Sequence, residues 1–262
     1  DEPLRPLLQV SRLRRWREAR LERRCVAQAQ AVVVTSESWR RLLTQRYSSA
    51  ASKVHVVTNA YPALALYNVR PSSGDEDARL RLVHAGRFFG SDPRRNPTAL
   101  LDPLLGALQH RVDAGEVLLP GDHHERDLEM IDRLGQRLPA GWHLECREPV
   151  PRGELLRMLA AASGLLMLTA SRSQLPGKLF EYLPTGRPIL AVAPPDSEVV
   201  RFCRDIPHVF TISPMPNIDT SPTIEAFLDA CVDPSRRTVP PDYSPDVLGQ
   251  KFLDIIANAA TQ

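Results

Sequence analysis

From Leu80 onward, short apolar runs alternate with helix-length stretches, and this regularity constrains the fold more than any other feature of the chain. The runs predict strands at 80–84, 116–119, 143–146, 164–169, 188–193 and 209–212. Between them, helices are predicted at 98–110, 126–137 and 152–162, and from near Lys178 and Asp196. The runs are short and mostly apolar, those at 164–169 and 188–193 almost entirely so, as suits strands covered on both faces, and a helix between successive strands enforces parallel pairing. The pattern predicts an α/β fold, a Rossmann-like doubly wound parallel sheet. Apolar residues make up 43% of the 262 residues, enough for such a core. Two further helices, 221–231 and 244–260, close the chain.

The N-terminal part is shorter and less regular. Residues 11–30 hold no proline or glycine and predict one long helix, followed by a β-branched strand at 31–35. Ser36 then caps a helix carrying Trp39, Leu42 and Leu43, and a second strand at 54–57 ends in the turn Asn59-Ala60-Tyr61-Pro62. From 63 to 77 the composition shifts to proline, serine, glycine and charge, as in a linker. The expected organisation is an incomplete α/β remnant at 1–62, a linker at 63–77, a Rossmann-like domain at 78–243 and a terminal helix at 244–262. Two parallel strands with two helices cannot satisfy their sheet edges alone, so the remnant is expected to need a partner, and the chain to be a piece of a longer protein.

Charge and cysteine usage narrow the function classes. The net charge is only +2, with the basic residues crowded into 12–24, which gives no general nucleic-acid footprint. Arg12, Arg14, Arg15, Arg17, Arg20, Arg23 and Arg24 share a helix with Leu13, Trp16 and Leu21. Such a helix is either a solvated face or a surface that lies against the inner face of a membrane. Cys25, Cys146, Cys203 and Cys231 lack any paired spacing, which fits free thiols in the cytoplasm, and no apolar run is long enough to span a bilayer. Asp122-His123-His124-Glu125 is read as a polar loop and not a metal site, because adjacent histidines point in different directions. Ser171 and Ser173 sit in no Gly-x-Ser-x-Gly elbow. His84, at the end of a strand, is equally a packed core histidine or a ligand contact.

In a doubly wound sheet the ligand lies beyond the carboxyl ends of the strands, so the residues following each strand carry the chemistry. The strand 80–84 runs into Gly86 and Arg87, with Arg94 and Arg95 just beyond. Glycine permits close backbone approach, and arginine offers a fork of donors to phosphate. The strand 164–169 leads to a helix opening Gly177-Lys178-Leu179-Phe180-Glu181-Tyr182. Its free N–H groups, the Lys178 ammonium and the Glu181 carboxylate could hold phosphate and ribose within one turn. The same segment also reads as an amphipathic helix with Leu179, Phe180 and Leu183 facing the core, and the arginines as a solvated loop.

The run from Leu175 to Ala191, LPGKLFEYLPTGRPILA, resembles the donor-site signature of GT-B glycosyltransferases, especially family 4. The resemblance extends to 53–61, similar to the turn that ends the acceptor domain, to Gly86-Arg87 with Arg95-Asn96-Pro97, and to the terminal helix. It implies a hexosyltransferase of glycan biosynthesis that moves a sugar from a nucleotide-diphosphate sugar to a glycan, a lipid-linked glycan or a small molecule. No cofactor or metal is implied, and no catalytic residue is assigned. Glu181 would bind ribose, Arg87 and Arg95 the diphosphate with help from Gly86 and the Gly177, Lys178 and Leu179 amides, and Arg147 would lie beside the base. Ser173 departs from the pattern, since many family 4 members carry a carboxylate there, and Ala60 stands where the pattern has glycine. The alternatives are an epimerase of the same fold and a non-catalytic subunit that binds sugar nucleotides.

Overall fold

The computed structural model describes residues 11–62, 79–89, 92, 94–111, 113–213, 215, 218–233 and 243–260. The N-terminal part forms helix α1 (Arg12–Gln28), strand β1 (Val32–Val34), helix α2 (Glu37–Arg46), a 3-10 helix (Ser48–Lys53) and strand β2 (Val54–Val56). A serine starts each α-helix. Ser11 Oγ accepts from the Arg14 N–H and Ser36 Oγ from the Trp39 N–H, satisfying donors that the first turn leaves open. β1 and β2 pair in parallel with Val32 opposite Val54, forming a sheet of two strands among the described residues. The expected linker at 63–77 lies outside the described residues.

The chain continues as β3 (Leu80–Val83), α3 (Thr98–Leu108), β4 (Gly115–Pro120), α4 (Glu125–Gly135), β5 (Trp142–Arg147) and α5 (Arg152–Ala161). It is completed by β6 (Gly164–Leu168), α6 (Gly177–Tyr182), β7 (Ile189–Val192), α7 (Glu198–Cys203), β8 (Val209–Ile212), α8 (Ser221–Val232) and α9 (Pro245–Ala260). β3 to β8 form one parallel sheet in the order β5-β4-β3-β6-β7-β8. Successive strand residues point to opposite faces, and both find apolar partners. Leu82, Leu166 and Leu190 join one buried cluster with Leu100, Leu104 and Phe227. Val83, Leu165 and Ile189 join the other with Leu156 and Leu179. That two-sided burial is why the central strands β6 and β7 read as unbroken apolar runs, while β5 at the sheet edge carries His143 and Glu145.

Gly164 marks where α8 lies closest to the sheet, because a Cβ there would sit 2.4 Å from Cys231 Sγ and 2.8 Å from Phe227 Cζ. Gly164→Ala is expected to cost about 1–3 kcal/mol through overpacking, read as an earlier urea midpoint at unchanged slope. An unchanged midpoint would contradict this packing.

Two elements differ from expectation. The helix opening at 177 is six residues long and passes into a 3-10 turn, Leu183–Thr185, that Gly186 ends at φ +64°. Pro184 accounts for the break, since its ring clashes with the preceding turn and its missing N–H removes a helical hydrogen bond. The helix expected from Asp196 begins at Glu198, where Ser197 Oγ accepts from the Val200 N–H. Tyr61 and Tyr243 join the start of α9 to the N-terminal part, the Tyr61 N–H donating to the Tyr243 carbonyl at 3.1 Å. Along α1 only Val26 is buried, while Leu13, Trp16 and Leu21 are each about 60% exposed. Among the described residues no helix is long and apolar enough to cross a membrane.

Candidate functional site

The sheet reverses its strand order between β3 and β6. From β3 the chain moves outward through β4 and β5, and from β6 it moves the opposite way through β7 and β8. The connections leaving these two neighbouring strands diverge, which opens a crevice at their carboxyl ends. The turn after Val83 borders one side, and residues 169–177 with α6 border the other.

Helix α6 grips the turn through the backbone of one residue, Ala85. Lys178 Nζ donates to the Ala85 carbonyl at 2.7 Å, and the Tyr182 hydroxyl accepts from the Ala85 N–H at 2.8 Å. The two side chains stand one helical turn apart and so face the same way. Gly86 follows at φ +104°, a conformation that favours glycine, with its N–H donating to the Pro120 carbonyl. A Cβ on Gly121 would approach the Gly86 carbonyl to 2.8 Å, so two glycines let the turns after β3 and β4 touch. Tyr182 was not among the residues singled out from the sequence. Its spacing from Lys178 was the available signal, but an aromatic in that run reads first as core.

The crevice gathers basic groups that are largely withdrawn from solvent. Burial, and then the Arg95 guanidinium, push the Lys178 ammonium down to about 7, with Glu181 only partly offsetting them. Arg95 is itself lowered, first by burial. His84 is fully buried and held well below the usual imidazole range by burial and by Lys178. Arg95 disfavours charge on Lys178, and both disfavour it on His84, so an anion bound beside Lys178 would favour its charged form. The structure gives His84 a packing role as well: its Nδ1 lies 2.9 Å from the Leu166 carbonyl and its ring stacks on Phe88 at 4.4 Å.

Glu181 lies three-quarters buried on α6, with Oε1 3.1 Å from Nη2 of Arg152 at the start of α5. Arg87 is half-exposed and ion-paired with Asp122, from the turn after β4. Arg147, at the end of β5, is held by both oxygens of Glu145 on its own strand, at 2.9 Å each. The structure brings Arg152, which was not singled out from the sequence, to the Glu181 carboxylate. Of the α6 amides, that of Leu179 already donates to the Pro176 carbonyl at 3.0 Å, and its side chain is core. A helix of six residues also sums few peptide dipoles. The positive charge at this mouth thus comes from Lys178 and Arg95 more than from the helix terminus.

The two histidines of the 122–125 loop have separate tasks. His124 caps α4, with Asp127 completing the capping box, while His123 Nε2 lies 2.7 Å from the Leu119 carbonyl. Among the described residues no group of three or more His, Cys, Asp or Glu is placed to hold a metal ion.

No family model matches the sequence, and no curated protein matches it. Solved structures do match. A glycosyltransferase from Rickettsia africae superposes with a TM-score of 0.62 at 16% identity, over 88% of this chain and 63% of that one. HepE from Anabaena, in complex with UDP, superposes with a TM-score of 0.63 at 15% identity, over 89% and 65%. The UDP-GlcNAc 2-epimerase of Methanocaldococcus jannaschii gives 0.50 at 12% identity, over 89% and 63%. The chain thus spans under two thirds of the length of each. At these identities the likeness establishes the fold: a Rossmann-like α/β unit of the glycosyltransferase B type.

Proposed function

We propose that this chain carries the donor half of a glycosyltransferase, binding a nucleotide-diphosphate sugar in the crevice between β3 and β6. The observation that carries the reading is the pair of neighbouring basic side chains, Lys178 and Arg95, largely withdrawn from solvent at the switch point of the sheet, where a Rossmann-like fold places its nucleotide. HepE, of the same fold, holds UDP in its solved structure.

In this reading Lys178, Arg87 and Arg95 neutralise the diphosphate as it departs, stabilising charge that develops in the transition state. Gly86 lets the backbone approach, the Gly177 amide assists, Glu181 accepts from the ribose hydroxyls, and Arg147 and Arg152 flank the base side. Residues 1–62 and 244–262 belong to the acceptor side, with 78–243 as the donor domain and 63–77 between them. The acceptor is a glycan, a lipid-linked glycan or a small molecule. The arginine-rich helix α1, with Leu13, Trp16 and Leu21 exposed among its basic residues, suits a lipid-borne acceptor, since it can rest on the anionic inner face of a membrane. A family 4 assignment is part of the proposal and rests on the run from Leu175 to Ala191.

Calorimetric titration with UDP, GDP and ADP is expected to show binding of at least one of them. Silence with all three would overturn the reading. The epimerase alternative shares the fold, and incubation with UDP-GlcNAc separates the two, because only an epimerase returns the C2 epimer without an acceptor.

A further inference from the structure

The loop between β6 and α6 is held in part by the N-terminal βα unit. Ser36, almost fully buried at the start of α2, donates its hydroxyl to the Ser173 carbonyl at 2.8 Å. Glu198, the first residue of α7, is only 5% exposed, and its N–H donates to the Arg172 carbonyl at 2.7 Å. Its carboxylate accepts from the Glu37 N–H at 2.9 Å and from the Ser38 hydroxyl. Arg201 Nη2 lies 3.0 Å from the same carboxylate and Arg41 Nη2 3.8 Å. A buried carboxylate persists only with such a set of partners, and here α2 supplies two hydrogen-bond donors and a nearby guanidinium. The N-terminal end of α2, a ten-residue helix, adds a favourable dipole. One residue therefore holds the loop through its backbone and α2 through its side chain.

We propose that Glu198 is a positioning residue for the crevice: by tying α2 to residues 171–175 it fixes the loop that delivers α6 and Lys178 to the β3 turn. Other contacts hold its ends: Leu175 is buried in the core, and the Ser171 N–H donates to Thr169 Oγ1 at 3.3 Å. Ser171 Oγ accepts from the N–H groups of Ser173 and Gln174 at 3.3 and 3.1 Å, closing a turn within the loop itself. The effect on nucleotide rests on the donor-site reading above, whereas the effect on the loop does not.

Hydrogen–deuterium exchange on the full chain tests this. In Glu198→Gln the Ser173 and Gln174 amides are expected to exchange about tenfold faster, together with those of 37–40, while Leu166 and Ala191 in the sheet keep their protection. Ser38→Ala, which leaves the charge in place, should move the same amides by a smaller factor and carries the test if Glu198→Gln does not fold. Faster exchange confined to 37–40, or a uniform rise through the sheet, overturns the proposal. UDP titration of the same proteins adds the second readout. Weaker binding by Glu198→Gln supports the role, and unchanged affinity overturns it. Absence of binding by the parent chain instead removes the donor reading and leaves the exchange result to decide on Glu198.

Discussion

Lys178→Met is expected to weaken nucleoside diphosphate binding about 10- to 100-fold, the cost of removing a charged donor from a partly desolvated anion site. The pH dependence identifies the cause. Without ligand the ammonium titrates at about 7, because burial and Arg95 disfavour its charge. A bound diphosphate favours the charged form and raises that pKa, so binding at pH above about 7 takes up a proton. Affinity in the parent chain should then fall as the pH rises above 7, by up to about tenfold per unit, until the bound-state pKa is passed. The ligand's own phosphate is ionised by then, its last proton leaving near about pH 6, so the slope belongs to the protein. The Met variant should show a flat profile above pH 7. Titrations across that range, in two buffers of different ionisation enthalpy, measure both the slope and the proton.

The same residue makes an opposite prediction for stability. Its folded pKa lies below the unfolded value of 10.5, so the unfolded chain binds the extra proton between about 7 and 10.5. The cost of keeping Lys178 charged in the fold is fully present below 7 and relieved as the pH rises toward 10.5. Lys178→Met should therefore compare best with the parent in urea at acid pH, and the difference should move in the parent's favour through the alkaline range. Weak binding beside a relative gain in stability at low pH is what a functional charge held against burial predicts.

Much of this fold was legible because its strands are buried on both faces. Val83, Leu165 and Ile189 are as apolar as their neighbours Leu82, Leu166 and Leu190, so each run stood out whole, and only strand ends shifted by a residue or two. The glycine at 86 and the lysine at 178 were legible for a related reason, since both follow strands and their residue types suit a phosphate. What the sequence hid is long-range pairing. That Tyr182 holds the Ala85 N–H, or that Glu198 holds α2 from the far side of the chain, depends on contacts between residues 97 and 161 positions apart. No local pattern encodes such contacts. Arg147 ends β5, where a carboxylate two residues earlier on the same strand takes its guanidinium, while Arg152 from the start of α5 reaches Glu181. His84 was ambiguous from sequence because a histidine at a strand end serves either role, and only the Leu166 carbonyl and the Phe88 ring reveal how it packs.

Glu181→Ala provides the second large effect and the one most specific to a nucleotide. A carboxylate accepting from two ribose hydroxyls contributes about 1–3 kcal/mol, so the variant should bind roughly 5- to 150-fold more weakly. The loss must depend on those hydroxyls. A 2′,3′-dideoxynucleoside diphosphate should bind the parent about as weakly as the variant binds the ordinary ligand, and the two changes together should cost little more than either alone. Arg152→Ala serves as the contrast, because its guanidinium is mostly exposed and such pairs contribute about 0–1 kcal/mol, a few-fold at most. If Glu181→Ala keeps full affinity, or loses it equally for the dideoxy ligand, the carboxylate is not reading a ribose. The crevice would then be a general anion site, and the glycosyltransferase reading would lose the residue that makes it a nucleotide site.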